Sequence, residues 1–189
     1  KRQFAELFGQ YVPPELVEEM SRDPENYSMA GRKAELTVLF SDVRGFTTIS
    51  EGLEPDELAS LMNQYLGAMT IVVRKHRGTL DKYIGDAIMA FRGAPVAIPD
   101  SADRAAISAV KMMFALDKIR SDFAQRGLPK IDIGIGLNTG IMSVGNFGSD
   151  ERFCYTVMGD EVNLGARLEG LTKEYGIKIM ISEKTQRKL

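Results

Sequence analysis

A chain of 189 residues, 44% hydrophobic and 26% charged, has the means to build one domain with a sizeable core. Its formal net charge of −2 and pI of about 5.6 offer no electrostatic footprint for nucleic acid. One cysteine, Cys154, excludes an internal disulfide, and one histidine, His76, with no second imidazole or thiol, gives zinc no ligand set, so any metal would be a hard cation held by oxygen.

No apolar run approaches the length of a membrane span, and no signal peptide is visible. The chain starts at Lys1 rather than Met, which reads as a fragment of something longer. Phe4, Leu7, Phe8 and Tyr11 follow helical spacing until Val12-Pro13-Pro14 breaks it. Pro14 then suits the first turn of a second short helix running to Met20. Residues 1–32 are taken as a connecting segment, with the reading that they are simply the domain's first helices kept beside it.

Leu36–Phe40 is a short apolar run of the kind that makes a buried strand. It ends at Ser41-Asp42, so a carboxylate stands where the backbone leaves the core, and Gly45 lets the chain turn into a helix beginning near Phe46-Thr47. A strand-end acid, a glycine turn and a helix start suit a metal and a phosphate. From Pro55, Leu58, Leu61, Met62, Tyr65, Leu66, Met69, Val72 and Val73 repeat on one helical face, which Gly78 ends. His76 belongs to the basic end of that helix. Thr79–Ile84 and Ala87–Phe91 flank Gly85-Asp86 and read as a tight hairpin. Asp86 alone fits turn chemistry; beside a second strand-end acid it reads as a ligand.

After a Pro-rich loop, Ala105, Ala106, Ala109, Val110, Met113, Leu116, Ile119 and Phe123 are expected to face inward on another helix, closed by Gly127. Ile131–Leu137 and Met142–Asn146 read as two strands joined by a turn through Asn138-Thr-Gly-Ile141. Gly134, Gly136 and Gly140 lack the spacing and the following helix of a dinucleotide loop. A short strand ends near Val157-Met158, with Cys154 read as a small hydrophobe beside it. Asp160 is placed as the cap of a helix to about Glu174, with Leu164, Leu168 and Leu171 as its core stripe. Asn163 and Arg167, four apart, share a different face, where such a pair is usually only solvated. Ile177–Ile181 reads as a final strand, with a helix starting at Thr185. The pattern predicts an α+β fold, an antiparallel-rich sheet covered by helices.

Two aspartates brought together repel each other unless a cation neutralises them. Mg²⁺ accepts carboxylates together with phosphate oxygens and water, and a pair of such ions serves phosphoryl transfer without a protein nucleophile. The residues alone therefore point to Mg-dependent nucleotide chemistry.

Three stretches, Phe40-Ser-Asp-Val-Arg-Gly-Phe-Thr47, Asp81-Lys-Tyr-Ile-Gly-Asp-Ala-Ile-Met-Ala-Phe91 and Tyr155-Thr-Val-Met-Gly-Asp-Glu-Val-Asn-Leu-Gly-Ala-Arg-Leu168, resemble the signatures of the class III nucleotidyl cyclase catalytic domain, in that family's order. The resemblance covers residues 33–189 and implies a ferredoxin-like βαββαβ core acting as a head-to-tail homodimer with composite sites. It implies conversion of ATP into 3′,5′-cyclic AMP and pyrophosphate. Asp42 and Asp86 would bind two Mg²⁺ ions per site, with Mn²⁺ able to substitute, and the backbone at Val43, Gly45, Phe46 and Thr47 would contact metals and phosphates. Lys82 would recognise adenine, Asn163 orient the ribose and Arg167 stabilise charge at the reacting phosphate, these coming from the partner subunit. Thr156 stands where most adenylate cyclases of the class carry Asp, and so resembles the bacterial class IIIb subset, for which a bicarbonate response is known. The alternatives are a guanylate cyclase and a catalytically silent nucleotide-binding or dimerisation module. The family's further C-terminal strand, with a triphosphate-binding Lys, would follow Leu189. A cytoplasmic domain is expected, tethered to a membrane only through upstream regions, with residues 4–20 resembling a linker to a sensor.

Overall fold

The computed structural model describes the backbone of residues 2–189 and the side chains of residues 5–189; the Phe4 side chain of the expected first helix lies outside that range. Two short helices, α1 (Arg2–Phe8) and α2 (Pro14–Arg22), precede strand β1 (Arg32–Val43). Helices α3 (Phe46–Glu51) and α4 (Pro55–Lys75) lead to the hairpin β2 (Thr79–Ile84) and β3 (Ala87–Arg92). Helix α5 (Ser101–Gln125), strands β4 (Ile133–Asn146) and β5 (Tyr155–Met158), helix α6 (Asp160–Glu174), strand β6 (Ile179–Ile181) and helix α7 (Glu183–Arg187) complete the described chain. Among the described residues no helix is long and apolar enough to cross a membrane.

The strand order is β2-β3-β1-β4-β5, with β6 pairing parallel to the other end of β4's free edge, at residues 135–137. The expected α+β architecture is present: β1-α4-β2-β3-α5-β4 forms the antiparallel ferredoxin-like core, and β5, α6 and β6 are added at one edge. Strand alternation sorts the side chains between two faces. Leu39, Val43, Ile88, Ala90, Ile133, Ile135 and Leu137 pack under α4 and α5, against Leu61, Tyr65, Met69, Met112, Leu116 and Phe123. Leu36, Val38, Phe91, Met142, Val144, Tyr155 and Val157 pack on the opposite face.

Phe8, Val12, Leu16 and Met20 complete that second core and are essentially inaccessible. The turn between α1 and α2 is tied down as well, because the Leu80 amide donates to the Tyr11 carbonyl over 2.6 Å. The Arg74 guanidinium holds the carbonyls of Gly9 and Gln10 at 3.1 and 2.8 Å. Helix α4 begins in a capping box formed by Glu54 and Glu57. At its other end the fully buried Arg92 donates to the carbonyls of Val73 and His76 at 3.1 and 2.9 Å. Burial lowers this guanidinium to about 9, and the helix-end carbonyls supply the negative pole it faces.

Five local expectations change. Val110, expected to face inward on α5, is 46% exposed, because the buried stripe runs through Ala105, Ala109, Met112 and Leu116. Strand β1 is longer than Leu36–Phe40 and runs through Asp42, so the acid lies within the strand's last turn of pleat. The two strands expected around Asn138–Ile141 are one continuous strand, paired with β1 from Val43↔Ile133 to Arg32↔Val144. No turn is present because Gly134, Gly136 and Gly140 serve another purpose. They lie on one face at period two, and α6 crosses that face so closely that side chains have no room. A Cβ on Gly136 would meet the Gly165 carbonyl at 2.8 Å and the Glu169 amide closer still; one on Gly140 would meet Glu161 at 2.7 Å. The cap of α6 is Gly159, with φ of 132°, and Asp160 is the first helical residue, without a side-chain cap bond. Its charge still suits the first turn, where the helix dipole favours acids. The buried stripe of α6 is Val162, Gly165, Leu168 and Thr172, displaced from the Leu164-Leu168-Leu171 stripe expected, because the helix is seated by small residues facing the glycines of β4.

Candidate active site

Two constellations stand out, and the sheet separates them. The first is acidic. Asp42 is an even-numbered residue of β1 and so shares the face crossed by α6, while Asp86 stands in the β2–β3 turn next to Gly85, whose φ is 61°. The Val43 amide donates to Asp86 Oδ2 at 3.0 Å, which carries the turn acid up to the strand end. The carboxyls of Asp42 and Asp86 lie against each other. Asp42 is pushed up to about 7, first by burial and then by the Asp86 carboxyl, with Glu169 of α6 adding to the repulsion. Burial also raises Glu169, while contact with Asp42 and the nearby Arg44 guanidinium pull it back.

This cluster needs a positive charge. Crowding of the carboxyls holds a proton on Asp42 up to about 7, a poor substitute for a cation. The donor set is all oxygen, with His76 and Cys154 on other elements, so it fits a hard cation such as Mg²⁺ and not a thiophilic metal. Among the described residues no trio of acidic, His or Cys side chains is arranged to enclose an ion alone. Two carboxylates supply part of a shell, and Mg²⁺ commonly completes such a shell from water and substrate phosphate. Glu169 was not foreseen; its signal was its position six residues after Asn163 on the helix face that packs on β1.

Next to the acids, Gly45 has φ of 64°, in the left-handed region that glycine tolerates, and it ends β1's extension and starts α3 at Phe46. The amides of Phe46 and Thr47 belong to the first turn of α3 and have no intrahelical acceptor. The Val43 amide is different, being already committed to Asp86.

The second constellation is polar and internally satisfied on one side. Thr156 on β5 donates through Oγ1 to Asp81 Oδ2 at 2.5 Å. Lys82 Nζ lies 3.7 Å from Asp81 Oδ1, and the Lys82 side chain remains 43% exposed while the Asp81 side chain is 0% exposed. Burial raises the Asp81 carboxyl, and the Thr156 hydroxyl and Lys82 charge counter that shift. The structure thus joins Lys82 and Thr156, which are far apart in sequence, through a residue that the reading of the motifs left without a role.

Asn163 and Arg167 lie on the exposed face of α6, and neither side chain makes a hydrogen bond or ion pair among the described residues. Glu169 follows Arg167 by two residues, so with about 3.6 residues per turn Arg167 points to roughly the opposite side of the helix from the acid cluster. One chain therefore brings Asp42 with Asp86, and Lys82 with Thr156, but directs Asn163 and Arg167 away from its own acids.

Residues 29–189 match the family described as the adenylate and guanylate cyclase catalytic domain. "Adenylate cyclase 1" of Rhizobium meliloti (strain 1021) is 37% identical over 175 residues, covering 93% of this chain and 26% of that protein. The "Adenylate cyclase" of Anabaena cylindrica is 38% identical over 188 residues, covering 96% of this chain and 36% of that protein. Among solved structures, the guanylyl cyclase Cya2 is 41% identical with a TM-score of 0.79, covering 85% of this chain and 80% of that chain. The chain thus spans about a quarter to a third of the length of these curated relatives.

Proposed function

Since this chain belongs to the adenylate and guanylate cyclase catalytic domain family, we propose that it converts ATP into 3′,5′-cyclic AMP and pyrophosphate at sites shared between two copies of the chain. The observation that carries the choice of ATP is the Lys82–Asp81–Thr156 set, a cationic donor beside a hydroxyl whose proton is engaged. In this reaction the ribose 3′-oxygen forms a bond to the α-phosphorus, the bond from that phosphorus to the bridging oxygen breaks, and pyrophosphate leaves with the electron pair.

Asp42 and Asp86 would hold the divalent ions. Bound there, such ions supply charge neutralisation for the triphosphate and acidify the attacking hydroxyl. The chain's own residues do the rest. The first-turn amides of α3 receive phosphate oxygens close to the backbone at Gly45. Lys82 and Thr156 hold the base edge and so set where the ribose stands. Arg167 presents a guanidinium fork to the non-bridging oxygens as charge accumulates on them, and Asn163 orients the sugar. The outward direction of Asn163 and Arg167 supports a site completed by a second chain, because they stand on the exposed side of α6, away from the face that meets their own Asp42.

Purified protein incubated with Mg-ATP, and separately with Mg-GTP, tests the reading by identification of the product. Cyclic AMP formation that is abolished by Asp42→Ala and by Asp86→Ala is expected; activity surviving both substitutions overturns the metal assignment. Mixing Asp42→Ala chains with Arg167→Ala chains regenerates one intact site per mixed dimer, so activity reappears. Silence in mixtures of proteins shown to dimerise argues for sites within one chain. The likeness to the guanylyl cyclase Cya2 favours a second reading, in which GTP is the substrate, and predominant cyclic GMP would establish it.

A further inference from the structure

Asp81 lies where the pairing of β2 with β3 skips a residue, between Leu80 and Lys82. A bulge re-aims a side chain, and here it sends a carboxylate into the sheet while leaving Lys82 at the surface. Oδ2 accepts the Thr156 hydroxyl, whereas Oδ1 is buried without a hydrogen bond of its own. Beside them a groove lined by Asp81, Lys82, Tyr83 and Phe153 opens to solvent, with aromatic walls suited to a planar ring. A buried carboxylate with one oxygen held only by the Lys82 charge at 3.7 Å is an expensive way to tie β2 to β5, since an apolar pair would do so at lower cost. What a carboxylate does, and an apolar contact cannot, is determine hydroxyl direction. Threonine both donates and accepts, but an ionised carboxylate only accepts.

Resting on the reading of Lys82 and Thr156 as the base-recognising pair, we infer that Asp81 is the positioning residue that sets base selectivity, by committing the Thr156 proton inward and leaving its oxygen as an acceptor. Lys82 can only donate. A donor beside an acceptor complements the adenine edge, whose ring N1 accepts and whose 6-amino group donates. Guanine reverses both groups: its N1–H meets the ammonium, and its 6-oxygen meets the lone pairs of Thr156. Without Asp81 the hydroxyl is free to rotate and donate to a 6-oxygen, and rejection of guanine weakens.

The test compares the wild-type chain with Asp81→Ala, Asp81→Asn, Thr156→Val and the Asp81→Ala/Thr156→Val double variant. For each, kcat/KM with Mg-ATP and Mg-GTP is measured together with the affinity for each nucleotide. Asp81→Ala is expected to lower the ATP-over-GTP ratio by about tenfold or more. Asp81→Asn lowers it less, because its amide oxygen can still accept the Thr156 proton, although the amide can also flip and release it. In the Thr156→Val background, replacing Asp81 leaves the ratio unchanged, since no hydroxyl remains to be oriented. A role in holding the fold alone would reduce both nucleotides equally. An unchanged ratio in Asp81→Ala, or in Asp81→Asn should the alanine variant not fold, overturns the inference, as does an undiminished effect in the Thr156→Val background. A wild-type protein that prefers neither nucleotide overturns it too. A protein that binds ATP in preference to GTP but forms no cyclic product overturns the proposed activity instead, and the binding ratios of the variants still decide the role of Asp81.

Discussion

The acid corner and the proposed base pocket are built on opposite principles. Asp42, Asp86 and Glu169 are like charges gathered within one chain, and the Asp42 carboxyl is driven up to about 7 by burial and by Asp86. Lys82, Asp81 and Thr156 are charges and hydroxyls that answer one another, with contacts of 2.5 and 3.7 Å already made. A place where charge is left unresolved waits for something to resolve it. A place where the polar groups are already paired has its donor and acceptor directions assigned before any ligand arrives. The first arrangement suits an ion that comes and goes with substrate; the second suits discrimination between similar rings.

The sharpest way to break this contrast is to remove an acid. Asp86→Ala takes away both a charge and the acceptor of the Val43 amide, and cyclic nucleotide formation should fall by about a thousandfold or more, checked by product quantification alongside circular dichroism to show that the fold persists. A smaller loss is expected on the stability side from Gly136→Ala. The new methyl would press on the Gly165 carbonyl and the Glu169 backbone, costing about 2–3 kcal/mol in chemical unfolding. Because the clash falls at Gly165 and Glu169, beside the acid corner and away from the end of α6 that joins β5, the rate should drop while the preference between ATP and GTP holds.

A gentler test uses pH. In the folded, metal-free chain Asp42 keeps its proton up to about 7, whereas its ordinary value is 3.8. The unfolded chain therefore releases that proton first, and the native state loses stability as pH rises from about 4 through about 7. Asp42→Asn should flatten this slope and raise the melting temperature at pH 8 by a few degrees, equivalent to about 1 kcal/mol after solvent screening. The smallest signal comes from Mg²⁺ itself. Its binding should displace the Asp42 proton, so calorimetry in buffers of different ionisation enthalpy should detect proton release below pH 7, absent in Asp42→Asn.

Much of this was legible from residue spacing. The α4 stripe, the Gly85-Asp86 hairpin and the strand-end acid announce themselves through local periodicity and turn chemistry, which neighbouring residues determine. The glycines of β4 misled because their cause is not local: they make room for α6, which follows about 25 residues later, and only their period-two spacing hinted at a strand face and not a turn. Glu169 and Asp81 went unassigned for a related reason. An acid beside a well-known motif reads as solvated surface until the sheet shows that one meets Asp42 and the other is sealed beneath Lys82. Arg92 likewise sits at the end of an apolar run, and nothing in that run says that it faces the carbonyl end of α4.

The turn at Tyr11 has a practical consequence for where this domain can be cut. The family match begins at residue 29, yet the Leu80 amide, one residue from the bulge at Asp81, is satisfied by the Tyr11 carbonyl. The rings of Phe8 and Tyr11 also stand edge-on to Tyr155, the neighbour of Thr156. Expressing residues 29–189 alone would strip a hydrogen bond from one wall of the proposed base pocket and an aromatic backing from the other. The smallest fragment that keeps its recognition surface intact starts before Phe8, well upstream of the residues that recognise anything.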